Sequence, residues 1–159
     1  MSSRLLPLLG FGALAAGAGL VGSLATRRGV NSVWYRVRLR KPPYQPPREA
    51  FGPVWTGLYA LIAGSGARVY RAPASPERTR ALVLWGTQLA LNAGWSAIFF
   101  GARKPKLALA ELGVLLAAIA GYAHQARQVD RAAAWMVAPY FAWTAFAGVI
   151  NAGIVRRNR

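Results

Sequence analysis

The chain has 159 residues, 55% of them hydrophobic and 15% charged, and 20 Lys+Arg against 4 Asp+Glu give it a net charge of +16. With 0 Cys and 1 His it has no disulfide framework, no thiolate metal site and no three-histidine zinc site. A soluble domain carries about a quarter charged residues, so the placement of the few charges decides the class.

In chain order, the first uncharged stretch is residues 5–26, between Arg4 and Arg27. A bilayer core about 30 Å thick takes roughly 20 apolar residues, so this stretch is long enough to cross one. It exceeds the usual signal-peptide apolar core and is read as a retained first span. Gly10, Gly12, Ala13, Ala16, Gly17, Gly19 and Gly22 make it dense in small residues that let helices approach closely. A link of about 25 residues follows, rich in Arg, with Trp34, Tyr35, Tyr44 and the prolines Pro42, Pro43, Pro46 and Pro47. Prolines reduce the entropy lost on ordering. The link is therefore expected to be an ordered cap over one end of a helical bundle; the alternative is a basic loop lying on headgroups.

Four more spans follow, at about 50–67, 81–102, 107–126 and 132–155. The second opens with Pro53, Trp55 and Thr56. The third places Gln88, Asn92 and Trp95 at i, i+4 and i+7, on one helical face. The fourth carries Glu111, expected in its first turn, where the helix dipole favours a carboxylate, and His124, expected in its last turn, where it favours a cation. Neither has a companion at a useful ligand or relay spacing. The fifth, after Pro139, sets Tyr140, Trp143, Ala147 and Asn151 on one face. The turns 103–106 and 127–131 are short enough to make neighbouring spans antiparallel. The expectation is an all-α membrane protein, a single five-helix bundle over residues 1–159.

Five spans put thirteen basic residues on one side (the first link, the 103–106 turn and the C-terminal tail) and seven on the other. By the positive-inside rule the N-terminus is outside and the C-terminus cytoplasmic. The +16 then faces anionic lipid headgroups, and no basic stripe on a polar face supports nucleic-acid binding. The polar and aromatic faces of the second, third and fifth spans have two readings. They line a largely apolar ligand pocket, or Asn92 and Asn151 bond across helices while the indoles pack. No nucleophile–base pair, P-loop or dinucleotide fingerprint is present.

Lys41-Pro42-Pro43-Tyr44-Gln45-Pro46-Pro47-Arg48 followed by Gly52-Pro53-Val54-Trp55-Thr56-Gly57-Leu58-Tyr59 resembles the TspO/translocator-protein family, also called the tryptophan-rich sensory protein or peripheral benzodiazepine receptor family. Gln88-Leu89-Ala90-Leu91-Asn92, Trp95 and Phe99-Phe100-Gly101 agree with it, as do Pro139-Tyr140-Phe141-Ala142-Trp143, Phe146-Ala147, Asn151, Arg156 and Asn158. The resemblance runs from about Trp34 to Asn158. It implies a five-helix membrane protein, usually a homodimer, that acts as a receptor or transport-type binder of protoporphyrin IX and other hydrophobic ligands. No cofactor beyond such a ligand is expected, and the residues themselves offer no metal site and no catalytic residue. Animal members also bind cholesterol, and bacterial members are linked to tetrapyrrole regulation and light-dependent porphyrin breakdown. The family's pocket, roofed by the first loop, maps here onto Tyr35, Trp55, Asn92, Trp95, Trp143 and Ala147.

Some positions depart from the family pattern. Pro43-Tyr44 stands in place of an aromatic pair, and Glu49 in place of a common Trp. Ala152 occupies the place of the Tyr at the centre of the animal sterol motif, which here lacks its ring. The small-residue dimer stretch on the third span reads Val83 and Thr87, with Gly86, Ala90 and Gly94 as a substitute repeat one position away.

Overall fold

Long uncharged runs of Ala, Leu and Gly, broken by proline at the turns, leave helix as the way to pair the backbone within each segment. The computed structural model describes residues 2–159, with side chains from Leu5 onward; Met1 and the Arg4 side chain counted above lie outside the described residues. Among the described residues every regular element is helical: α1 (Ser2–Val30), α2 (Arg48–Arg71), α3 (Pro76–Ser96, continued by a π-helical turn over Ala97–Gly101), α4 (Pro105–Val129), α5 (Arg131–Met136) and α6 (Ala138–Arg157). Local chemistry sets the boundaries. Ser75 accepts the Arg78 N–H at 3.1 Å, with Pro76 next, at the start of α3. Asp130 accepts the Ala133 N–H at 3.0 Å at the start of α5.

The expected spans 5–26, 50–67 and 107–126 fall within single helices, 81–102 is helical to Gly101 and 132–155 is broken at Val137; the helices also run further, taking charged residues into their ends. Long basic side chains tolerate this by keeping their heads in the polar layer. Six helices replace the expected five because the last segment breaks at Val137 (φ −95°, ψ 0°), two residues before Pro139. Proline has no N–H for the preceding turn, so it sits early in α6 rather than inside a continuous helix. Among the described residues three stretches are long and apolar enough to cross a membrane: Leu5–Val30, Pro105–Val129, and Arg131–Arg157 across the break. α2 and α3 are more polar because they carry the groups that bond inside the bundle.

The helices close a ring. α1 packs on α2 and α3, α3 on α4, α4 on α5 and α6, and α2 on α5. One end is densely filled, with Ile62, Trp85, Leu115, Ile119 and Tyr122 buried together. The Trp85 indole donates to the Ile62 carbonyl at 2.9 Å. Ser65 Oγ lies 2.6 Å from the Tyr122 hydroxyl and donates to the Ala133 carbonyl at 2.7 Å. Arg68 pairs with Asp130 at 2.9 Å.

At the other end the first link folds across the bundle. A π-helical turn over Trp34–Arg38 sets Tyr35 against Phe100, ring centres 5.4 Å apart, and Trp34 against Phe99 at 6.0 Å. Asn158 fastens the link to the C-terminus: its Oδ1 accepts the Arg40 N–H at 3.0 Å and its Nδ2 donates to the Arg40 carbonyl at 2.9 Å. Gly153 permits the approach, since a Cβ there would collide with the Tyr44 hydroxyl and crowd Pro42.

Two expected positions need correction. Glu111 is not in a first turn, because α4 begins at Pro105 and makes Glu111 its seventh residue; both carboxyl oxygens are buried without a partner. His124 is likewise not in the last turn, since α4 continues to Val129; it is exposed, 3.3 Å from Gln128 Nε2.

Candidate functional site

Between the filled end and the link lies an open cavity of about 1030 Å³, at the upper edge of the range for small-molecule pockets. α1, α2, α3, α6 and the link form its wall, with Leu112 and Leu115 of α4 behind. Small residues make the room: Gly12, Ala15, Ala16 and Gly19 of α1 line it. Gly19 also lets Tyr59 come close, since a Cβ there would lie 2.9 Å from the ring. Part of the small-residue pattern of α1 therefore serves the cavity rather than helix packing alone.

All six residues expected at the pocket line this cavity. Tyr35 reaches it from the link, its hydroxyl accepting from Gln45 Nε2 at 2.9 Å and its ring lying under Lys41 Nζ, 4.2 Å from the centre. Burial, with Arg48 and Arg36 nearby, holds the Lys41 ammonium below its usual value. Trp55 on α2 leans on Tyr59 at 5.4 Å and meets Tyr140 edge-on at 6.2 Å. Trp95 on α3 stacks on Phe99 at 4.9 Å and 22°, with its indole nitrogen buried and unpartnered. Trp143 on α6 meets Phe51 edge-on at 5.8 Å, and Ala147, one turn on, leaves space beside it.

Asn92 combines both readings of the polar faces. It lines the cavity and also joins three helices: the Tyr59 hydroxyl of α2 donates to its Oδ1 at 2.6 Å, and its Nδ2 donates to the Tyr140 hydroxyl of α6 at 3.1 Å. Asn151 is chiefly a tie. With its amide oriented to match its neighbours, it donates to the Pro105 carbonyl at 3.1 Å and accepts from the Leu109 N–H at 3.0 Å. Gln88 shares the helical face of Asn92 but turns back, donating to the Trp85 carbonyl at 2.8 Å, and does not line the cavity.

The sequence reading passed over several wall residues. Tyr59, four residues after Trp55, shares its face and had a spacing signal. Phe51 looks like an ordinary core residue in sequence, and Phe99 and Phe100 stand out there only through the family motif Phe99-Phe100-Gly101. Thr144 is buried with an unpartnered hydroxyl at the wall. Arg27 and Arg48 sit at the rim.

Aromatic planes, three indoles and a few unpaired polar atoms suit a flat, mostly apolar ligand with hydrogen-bonding groups. Fold and cavity together define an all-helical membrane protein with an aromatic chamber at one end of its bundle. The chain belongs to the TspO/MBR family, whose model matches residues 11–157. It is similar to the translocator protein of Bos taurus, 36% identical over 153 residues that cover 95% of this chain and 89% of that one. The tryptophan-rich protein TspO of Chlorobaculum tepidum is 31% identical over 159 residues, 99% of each chain. The tryptophan-rich sensory protein of Cereibacter sphaeroides is 34% identical over 125 residues, 79% of this chain and 77% of that one.

Proposed function

We propose that the protein is an integral membrane receptor or transport-type binder of tetrapyrroles, with protoporphyrin IX as the model ligand, held in the cavity beneath the first link. The observation that carries this reading is the gathering of Trp55, Trp95 and Trp143 with Tyr35, Asn92 and Ala147 around one open chamber. A porphyrin is a broad aromatic plane, and offset stacking on indoles rewards that shape. Relatives named as translocator and sensory proteins support a role in moving or detecting a ligand. The assembly we infer has five crossings. α2 and α3 traverse the bilayer beside the three more apolar segments, α5 and α6 cross as one broken span, and the C-terminus is cytoplasmic. A homodimer is part of this reading, supported by the outward face of α3, where Val83, Gly86, Thr87 and Ala90 are exposed.

The test is a protoporphyrin titration of the detergent-purified protein followed by tryptophan fluorescence. Saturable quenching at low micromolar ligand is expected, weakened about tenfold or more in a folded Trp55→Leu/Trp143→Leu variant, since aromatic contacts contribute about 0.5–1.5 kcal/mol each beyond area. Linear quenching equal to that of free tryptophan in detergent overturns the reading. The three indoles at the wall also favour a second activity, light-dependent porphyrin breakdown with tryptophan as redox partner. It predicts a product with a new absorption band that forms only in light and only with this protein.

A further inference from the structure

We propose that Arg27 and Arg48 form an anion clasp at the mouth of the cavity, selecting amphipathic ligands with carboxylates along one edge over neutral ligands of the same shape. The inference rests on the reading of the cavity as a ligand site and names the chemistry of what enters it. Arg27 lies in the last turn of α1 and Arg48 opens α2, so the two helix ends that flank the link each present a guanidinium at the rim. Among the described residues they are the only basic ones lining the cavity, although thirteen basic residues are assigned to that side of the protein. General attraction to headgroups does not account for such a selection.

The clasp is uncommitted. Among the described residues the single ion pair is Arg68–Asp130, at the filled end, and Glu49, the one acid lining the cavity, pairs with neither arginine. Arg48 makes only a long contact of 3.4 Å to the Asn31 side chain, which leaves most of its N–H groups free. Guanidinium groups bind carboxylates with two parallel hydrogen bonds, stronger than neutral ones. The lowered Lys41 value, caused by burial and then by Arg48 and Arg36, fits a rim whose positive charge is not neutralised from within. Below the rim the wall turns aromatic. A ligand is thereby oriented with its charged edge outward and its plane among the indoles.

Protoporphyrin IX and its dimethyl ester share one ring and differ in two carboxylates, so they make the probe pair. Both are titrated against the full chain in neutral detergent, for wild type, Arg27→Gln/Arg48→Gln, and Lys104→Gln/Lys106→Gln, which removes equal charge from the same side away from the cavity. Wild type is expected to bind the diacid about tenfold more tightly than the ester, the size of one charge-assisted hydrogen bond. The arginine variant should lose that preference while keeping its affinity for the ester, and the lysine variant should keep it. Equal binding of acid and ester by wild type overturns the clasp but leaves the cavity reading standing. So does a preference that survives in the arginine variant, or one that the lysine variant loses equally. Saturable binding of neither porphyrin defeats the cavity reading itself.

Discussion

Asn92 is the residue on which the cavity wall and the bundle depend together. Its amide accepts from Tyr59 at 2.6 Å and donates to Tyr140 at 3.1 Å, so three helices meet at one side chain. Such bonds average only about 0.6 kcal/mol each within membranes, because the unfolded helices find other partners there. Asn92→Leu removes both and leaves two tyrosine hydroxyls unpaired, one of them fully buried. The expected loss is about 1–2 kcal/mol, measured by reversible SDS unfolding in mixed micelles. An unchanged midpoint would mean that the three-helix junction does not form. Tyr59→Phe, which keeps the ring on Trp55 and removes one bond, should cost less than Asn92→Leu. This ordering separates hydrogen bonding from packing at the same site. Asn92 and Trp95 were legible in the sequence because a polar and an amphipathic group interrupt an apolar run. Thr144 was not, since a lone hydroxyl in a helix commonly bonds to its own backbone, and only the fold leaves this one unpartnered.

At the scale of elements, two junctions hold the ends of the bundle. At the loop end, Tyr44 and Pro42 rest on Gly153 of α6. Gly153→Leu should lift the link and speed tryptic cleavage after Arg36, Arg38 or Arg40 several-fold, with the helices intact by circular dichroism. Unchanged cleavage would remove this contact from the docking. At the other end, Asp130 caps α5 and pairs with Arg68. Burial raises its carboxyl, but the Ala133 N–H and the Arg68 guanidinium outweigh that and hold it below its ordinary 3.8. A carboxyl lowered by folding contributes stability above its unfolded value and loses it as pH falls through the folded one. Destabilisation below about pH 4 should therefore be shallower in Asp130→Asn than in wild type, with the two differing by less than about 1 kcal/mol at pH 7. A steeper acid limb in the variant would reverse the assignment. Uncharged runs located the helices well and their ends poorly. Basic residues mark where a span leaves the apolar layer, whereas caps and prolines set the helix ends: Ser75 and Pro105 open α3 and α4, and Asp130 ends α4 and caps α5. The break at Val137 had its cause in plain view at Pro139, but sequence alone did not separate a kink from an interruption.

For the whole molecule, the open question is how many of the segments cross the membrane. α1, α4 and the α5–α6 pair are apolar enough by themselves. α2 and α3 are not, yet they bury Ser65, Gln88 and Asn92 inside the ring, and such groups find partners in a bundle rather than in lipid. The two topologies agree on where the ends lie and differ at the α2–α3 turn. With five crossings, Ala74 lies opposite Ala102; with three, α2 and α3 stay on the side that α1 reaches, and Ala74 shares it with Ala102. The native chain has 0 Cys, so single-cysteine variants need no background removal. Ala74→Cys, Ala102→Cys, Gln128→Cys and Arg159→Cys all place the thiol at an exposed position. With a membrane-impermeant maleimide on sealed vesicles, positions 102 and 159 are expected to label from the cytoplasmic face, and positions 74 and 128 from the other. Labelling of position 74 together with 102 would leave three crossings. It would also require the cavity walls contributed by α2 and α3 to face a different medium, so this one position tests the topology and the setting of the ligand site together.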